Sequence, residues 1–347
     1  MLVKDVGEFR LIEMLSAVLD SREIIRDVHR DDAGFRLQLS IGDDAAVWKG
    51  PAGTRVITSD AMVERVHFDL DHIGWEDLGW KAMVVNLSDI AAMGCMPLYS
   101  TVTLGLRADL PVEGLVGIYK GMSEACQLYG GSIVGGDVVR SPTFFIVVTL
   151  TGSADPDNNW KDDSARLLTR GAALVGDVVA ITGTLGCSTG GLRMNRDGLS
   201  FDGNVEAHLR KAHQRPTPRV MDGMALARQG VVAAIDISDG LVDDLNKLCE
   251  ASGVGARVAS DLLPVDVFLR RAYPDDWLTL ALSGGEDYEL LFASNKDTMG
   301  QITSTLDVPV TVIGEIVDKS LGVTVVDQYG SEIAIRGSGW DHFAQYE

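Results

Sequence analysis

Apolar positions recur along this chain first at helical spacing and then in short strand-like runs, so helices and strands are expected to alternate. A first amphipathic helix is predicted from Glu8 to about Leu19, and residues 20–40 read as a connector ending in a short apolar stretch before Ile41. Val56-Ile-Thr-Ser-Asp60 reads as a strand whose end delivers Asp60. Glu76 to Met93 reads as a helix, stopped by Gly94 with Pro97 beyond it. A strand over Tyr99–Leu106, a helix from Val112 to about Tyr129, a strand Ser132–Asp137 running into a turn, and a strand Thr143–Gly152 complete the first half.

A charged, Gly-containing passage from Ala154 to Gly176 marks the expected boundary, giving domains of residues 1–153 and 154–347. The second half repeats the style. Strands are predicted at Asp177–Thr182, Ala233–Asp236, Tyr288–Ala293 and Val310–Ile316. Helices are predicted around Ser188–Met194, Arg219–Arg228, Leu241–Ala251, after Pro264, and over Lys296–Leu306. The fold class is therefore α/β, in two domains of similar texture with mixed α+β sheets.

Bulk properties narrow the function. A chain of 347 residues, 46% of them hydrophobic, can bury two cores. Its net charge of −20 argues against nucleic acid as a partner, because that binding rests on Lys and Arg neutralising phosphates. No run of about 18 apolar residues exists to span a bilayer, so no membrane partner is expected. The opening MLVKDVGEFRLIEML has no charged leader followed by an apolar core, so no signal peptide is expected. Cys95, Cys126, Cys187 and Cys249 show no CxxC spacing and fit reduced thiols in a cytoplasmic protein.

The candidate chemistry lies in carboxylates set beside glycines and small residues. Five clusters stand out: Ile41-Gly-Asp-Asp-Ala-Ala46, Thr58-Ser-Asp60, Asn86-Leu-Ser-Asp89, Gly135-Gly-Asp137 and Asp236-Ile-Ser-Asp-Gly240. Oxygen-only donors suit hard cations such as Mg²⁺, which commonly share their shell with substrate phosphates. Asn86 and Asp89 lie three apart and share a helix face. Asp239 and Ser238 precede a helix whose N-terminal amides favour anions, although a simple capping role accounts for the same residues. Gly135-Gly136-Asp137 reads as a phosphate-approach loop. Neither a GxxxxGK[ST] loop nor a strand–GxGxxG–helix unit occurs. Ser283-Gly-Gly-Glu-Asp-Tyr-Glu289 reads as polar groups brought to a strand edge, or as a hairpin turn. His67 and Trp340 are each compatible with a packed or a binding role.

In order along the chain, GEFRLIEML, IGDDAAV, TSDAMVERVHF, GWKAMVVNLSDIAAMG, VGGDVVR, TRGAALVGD, HQRPTPR, DISDGLVDDL, LSGGEDYELLF and a terminal GWDHF resemble the thiamine-monophosphate kinase family. That family sits in the superfamily of aminoimidazole ribonucleotide synthetase and selenophosphate synthetase. The resemblance implies transfer of the ATP γ-phosphoryl group to thiamine monophosphate with several Mg²⁺ ions. It also implies a homodimer whose N-terminal sheets pair into a barrel, with ATP between the domains. By the same resemblance Asp43, Asp44, Thr58, Ser59, Asp60, Asp89, Asp137, Asp236 and Asp239 are metal-associated. Tyr119, Gly136, Asp137, Arg170 and Ser238 would contact ATP, and His67, Glu286 and Trp340 the thiamine monophosphate. Trp340 stacking on the substrate's cationic rings, beside the Glu286 anion, is physically reasonable.

One position departs from the pattern: where similar sequences read TGTxGDS, this chain has Thr182-Gly-Thr-Leu-Gly-Cys187-Ser188. No convincing nucleophile–histidine pair is present, so no covalent catalytic residue is expected. Two rival readings remain at this stage, another ATP-dependent enzyme of the superfamily or a nucleotide-binding maturation scaffold. A phosphohydrolase acting without ATP is a third. Selenophosphate synthetase would want an early Cys–Lys pair, and no Cys precedes Cys95; the hydrogenase-maturation type carries a C-terminal Cys, whereas this chain ends in Glu347.

Overall fold

Backbone pairing, more than local propensity, decides where the strands of this protein end. The computed structural model describes residues 1–6, 8–21, 32–39, 46–154, 167–303 and 305–334. The chain divides into one unit of Met1–Ile90 with Cys95–Ala165 and another of Ala91–Gly94 with Arg166–Glu347.

In the first unit, helix α1 (Glu8–Ser21) precedes a two-stranded antiparallel ribbon, β1 (Arg36–Leu39) with β2 (Val47–Lys49). Then follow β3 (Arg55–Val63), α2 (Trp75–Ala92), β4 (Cys95–Leu106), α3 (Val112–Tyr129), β5 (Ile133–Arg140) and β6 (Phe145–Ala154). The sheet runs β3-β6-β4-β5; β6 is antiparallel to both neighbours and β4 is parallel to β5. Helices α2 and α3 are expected from their apolar spacing, and they approach until backbones touch. A Cβ on Gly79 would lie 1.9 Å from the Ile118 carbonyl oxygen, and one on Gly121 would lie 1.8 Å from that of Glu76. Only glycine fits at such crossings.

Two expectations are corrected here. Asp60 lies inside β3 rather than at its end, because β3 pairs with β6 from Arg55↔Ser153 to Val63↔Phe145. Gly135-Gly136-Asp137 is likewise strand, not a phosphate-approach loop, with Gly136 opposite Val102 and Asp137 opposite Thr103. Glycine serves a close approach there, since a Cβ on Gly136 would meet the Val102 carbonyl oxygen at 2.1 Å.

The second unit contains β7 (Val178–Thr182), α4 (Cys187–Arg196), α5 (Gly203–Gln214), α6 (Val220–Arg228), β8 (Ala233–Asp236) and α7 (Leu241–Ser252). Then come β9 (Gly255–Ala259), α8 (Val267–Ala272), α9 (Trp277–Ser283), β10 (Leu290–Ser294), α10 (Lys296–Ile302), β11 (Val310–Val317) and β12 (Val323–Val326). The sheet order is β12-β9-β11-β7-β10-β8, antiparallel except where β12 lies parallel to β9. Ile181, Ile235, Leu245, Leu291 and Ile313 are among the residues of its core. Both units thus combine helices with mixed sheets, as the α/β reading requires.

Candidate functional site

Strand alternation sorts the first-unit candidates onto two faces. Thr58 and Asp60 alternate with Ser59 along β3, so they point to the half-buried side while Ser59 points to the exposed side. Across the sheet, Asp60 lines up with Val148, Val102 and Gly136, whereas Ala61 lines up with Val147, Thr103 and Asp137. Gly136 therefore shares the face of Asp60, and Asp137 shares that of Ser59. Ser59 Oγ lies 2.9 Å from Thr149 Oγ1 on that outer face. Asp137 is exposed there, its Oδ1 accepting from the Val138 amide at 2.8 Å.

On the inner face α2 brings Asp89 against β3. Thr58 Oγ1 donates to Asp89 Oδ2. Burial, then the charge of Asp89 and a hydrogen bond with it, hold the Asp60 carboxyl well above the usual carboxylate range. Among the described residues, Asp60 Oδ2 is buried with no hydrogen-bond partner, and so is Asn86 Oδ1 one helical turn from Asp89. Asn86 itself is fully buried, and its amide donates to the Ala82 carbonyl at 3.3 Å. Two facing carboxylates, one with a buried oxygen unpartnered among the described residues, are costly without a cation. The donor set is all oxygen, which fits Mg²⁺.

In the second unit β8 ends at the buried Asp236, and Ser238-Asp239-Gly240 leads into α7. Asp244, on the first turn of α7 and fully buried, gathers this loop. Its Oδ2 accepts from the amides of Ser238, Asp239 and Gly240 at 3.0, 2.9 and 3.1 Å. The amides of the loop before the helix are thus taken up by the protein's own carboxylate. Neither Asp239 nor Ser238 caps the helix; Gly240 stands at the cap, without a side-chain hydrogen bond. Lys247 Nζ bridges Asp244 Oδ1 at 2.7 Å and Asp239 Oδ2. Asp239 therefore shares one cation with Asp244.

The Ser283–Glu289 segment is no hairpin turn: it runs from the end of α9 into β10 and packs on the same loop. The amides of Glu286 and Tyr288 donate to the carbonyls of Ser238 and Ile237 at 2.8 and 2.9 Å. A Cβ on Gly285 would lie 2.4 Å from the Ser238 carbonyl oxygen, which explains the glycine. Glu286 and Tyr288 adopt φ of 65° and 53°, a left-handed geometry that is costly without glycine. Glu286 Oε2 lies 3.3 Å from His213 Nδ1, and that nitrogen lies 3.2 Å from Ser188 Oγ. Asp287 turns the other way: its carboxylate accepts from the amides of Gly186 and Ser188 at 2.6 and 3.2 Å. Burial pushes it up to about 7 despite those amides. Glu289 accepts from Thr182 Oγ1 at 2.6 Å and from the Arg219 fork through Nε at 2.6 Å and through Nη2.

Half-buried His67 follows β3, and its Nδ1 accepts from the Val63 amide at 3.1 Å. Tyr119 is buried within α3, and burial pushes its hydroxyl up from the ordinary value. Arg170 is exposed, and its carbonyl accepts from Ser252 Oγ at 2.7 Å. Asp43, Asp44 and Trp340 lie outside the described residues. Sequence reasoning missed Asp244, Lys247, Arg219, Asp287 and His213. Asp244 left a signal as an acidic residue in the first turn of a helix, while His213 and Arg219 fall in HQRPTPR and Asp287 in SGGED with no role read for them.

Two sequence families match the chain: the AIR synthase related protein N-terminal domain over residues 42–154 and its C-terminal domain over residues 175–327. The thiamine-monophosphate kinase of Escherichia coli (strain K12) is 36% identical over 314 residues, 89% of this chain and 93% of that protein. The crystal structure of thiamine-monophosphate kinase from Stenotrophomonas maltophilia K279a superimposes with a TM-score of 0.77 at 34% identity, covering 92% of this chain and 96% of that one. A solved structure of AaThiL complexed with AMPPCP and TMP gives a TM-score of 0.74 at 31% identity, covering 99% of each chain. The chain belongs to the AIR synthase related family and, within it, to the thiamine-monophosphate kinases.

Proposed function

We propose that this protein transfers the γ-phosphoryl group of ATP directly to thiamine monophosphate, giving thiamine diphosphate. The observation that carries the reading is the oxygen cluster of Thr58, Asp60 and Asp89, in which Asp60 Oδ2 is buried without a partner among the described residues. Relatives named for this activity, and the AaThiL complex with AMPPCP and TMP, supply the substrate class.

Asp60, Asp89, Asp236 and Asp239, with Asp43, Asp44, Thr58, Ser59 and Asp137, are the residues assigned to Mg²⁺. Bound Mg²⁺ supplies charge neutralisation for phosphates that a −20 protein repels. The protein's own groups orient the reactants. Gly136, Arg170, Ser238 and Tyr119 are assigned to the nucleotide, and His67, Glu286 and Trp340 to the acceptor. Unit charges 4 Å apart repel by about 1 kcal/mol in water and about 4 at an effective dielectric of 20, so positioning alone cannot gather the phosphates. The acceptor phosphate, with a second pKa near about 6, is mostly ionised at neutral pH and needs no general base. Transfer is then in line, without a phosphoenzyme, and inverts a chiral γ-phosphorus; retention would exclude this route.

The N-terminal unit is proposed to hold metal and ATP and to mediate homodimerisation. In support, one face of its sheet is open: Ile57 is 71% and Val139 39% exposed. Incubation of the folded protein with ATP, Mg²⁺ and thiamine monophosphate should yield thiamine diphosphate and ADP, separable by chromatography. Absence of thiamine diphosphate under those conditions overturns the assignment.

A further inference from the structure

Position 187, where the chain departs from its family pattern, carries a thiol beside two other metal-competent groups. Cys187 opens α4, His208 lies on α5 and Asp266 precedes α8. One donor atom from each lies within 4.8 Å of the others. His208 Nε2 is 3.3 Å from Asp266 Oδ2.

Both of those groups are held in place. Asp266 Oδ1 accepts from the Phe268 amide at 2.8 Å, leaving Oδ2 for the cluster. The His208 ring stacks on Phe268 with centroids 4.6 Å apart. A tetrahedral zinc ion takes nitrogen and oxygen at about 2.0–2.1 Å and sulfur at about 2.3 Å. Those lengths place two N/O ligands roughly 3.3–3.4 Å apart, and sulfur roughly 3.5–3.6 Å from either. The observed nitrogen–oxygen separation already meets that geometry, and the sulfur, within 4.8 Å of both, requires a shift of no more than roughly 1.3 Å. An ordinary capping ion pair accounts for His208 and Asp266, and Cys187 adds a third, soft donor beside them. Cys187 is buried and free of any disulfide, with Leu209, Leu269 and Leu280 in the same apolar cluster.

We propose that Cys187, His208 and Asp266 form a binding site for one thiophilic divalent cation of the zinc type, with a fourth position open to solvent. A sulfur–nitrogen–oxygen set selects such an ion over Mg²⁺, which separates this site chemically from the oxygen-only clusters. As the metal–sulfur bond forms, the thiol proton leaves to solvent. The partly exposed edges of His208 and Asp266 give the ion its entry.

Titration of the full chain with Co²⁺ tests the site, because cobalt reports its ligands by absorption. One equivalent should produce a sulfur-to-cobalt charge-transfer band, and Zn²⁺ should displace it. Cys187→Ser and His208→Gln should each weaken Co²⁺ binding by at least about tenfold, and Cys187→Ser should also abolish the band. His208 is half exposed, so His208→Gln keeps the test alive if Cys187→Ser does not fold. A spectrum without the sulfur band, or equal affinity in the wild type and His208→Gln, overturns the proposal.

Discussion

At the scale of single residues, unpaired oxygens and displaced protons say most about what this protein does. Beside Asp89, Asp60 and, one turn along the helix, Asn86 carry buried oxygens without partners among the described residues. Packing alone gives no reason to keep them, since an uncompensated buried charge costs stability. Asp60→Asn and Asp89→Asn should therefore lower turnover by about 100-fold or more. Urea midpoints should stay level or rise, and a stability loss matching the activity loss would sink the ligand role. Asp287 tests a different point. Its folded value of about 7 stands above the ordinary 3.8, so its contribution to stability is full below 3.8 and is lost as pH rises towards 7. The stability of wild type minus Asp287→Asn should fall across that window by up to about 1.4 kcal/mol per pH unit. Chemical denaturation at several pH values between 4 and 8 measures it; a flat difference would show that Asp287 is ionised throughout.

At the scale of elements, periodicity located helices better than it located strand ends. The apolar faces of α2 and α3 and the Gly94 stop were legible, because helix signals are local. The ends of β3 and β5 were not, because charged or glycine residues there are carried by pairing to β6 and β4. Helix α5 was missed since GNVEAHLRKAHQ buries only Val205 and Leu209 among its apolar residues. Short β9 and β12 owe their strand character to each other and to β11. The same contrast holds at the site. The DISDG and SGGED blocks were visible, but Asp244 gathering three amides and Arg219 reaching Glu289 depend on tertiary placement. Arg219 stands at the N-cap of α6 and Glu289 immediately precedes β10, so their fork ties two elements. Burial pushes the Glu289 carboxyl up, opposed chiefly by Arg219. Arg219→Gln should cost about 3–5 kcal/mol by leaving that carboxylate buried and unbalanced. Replacing both with Met should recover much of the loss in the same denaturation assay.

At the scale of the whole molecule, charge and one open sheet face work against each other. A chain of −20 repels its own copy as well as its substrates. Yet the outer face of the first sheet is not built for water alone. Ile57, Ala61, Val147 and Val139 share it with Ser59, Thr149, Thr101 and Asp137. With the other face covered by helices, an apolar residue such as Ile57, 71% exposed, gains by meeting a second copy. A homodimer joined through this face brings the two negative charges together, so salt should strengthen it by screening their repulsion. Light scattering should give twice the 37.3 kDa chain mass, with the dimer persisting to lower protein concentration as KCl is added. Ile57→Asp adds a charge to the face without touching the buried side of β3. It should shift the protein to monomer with an unchanged circular dichroism spectrum. A wild-type monomer at all salt concentrations would remove the dimer, while the phosphoryl-transfer assignment would stand on the Asp60–Asp89 cluster alone.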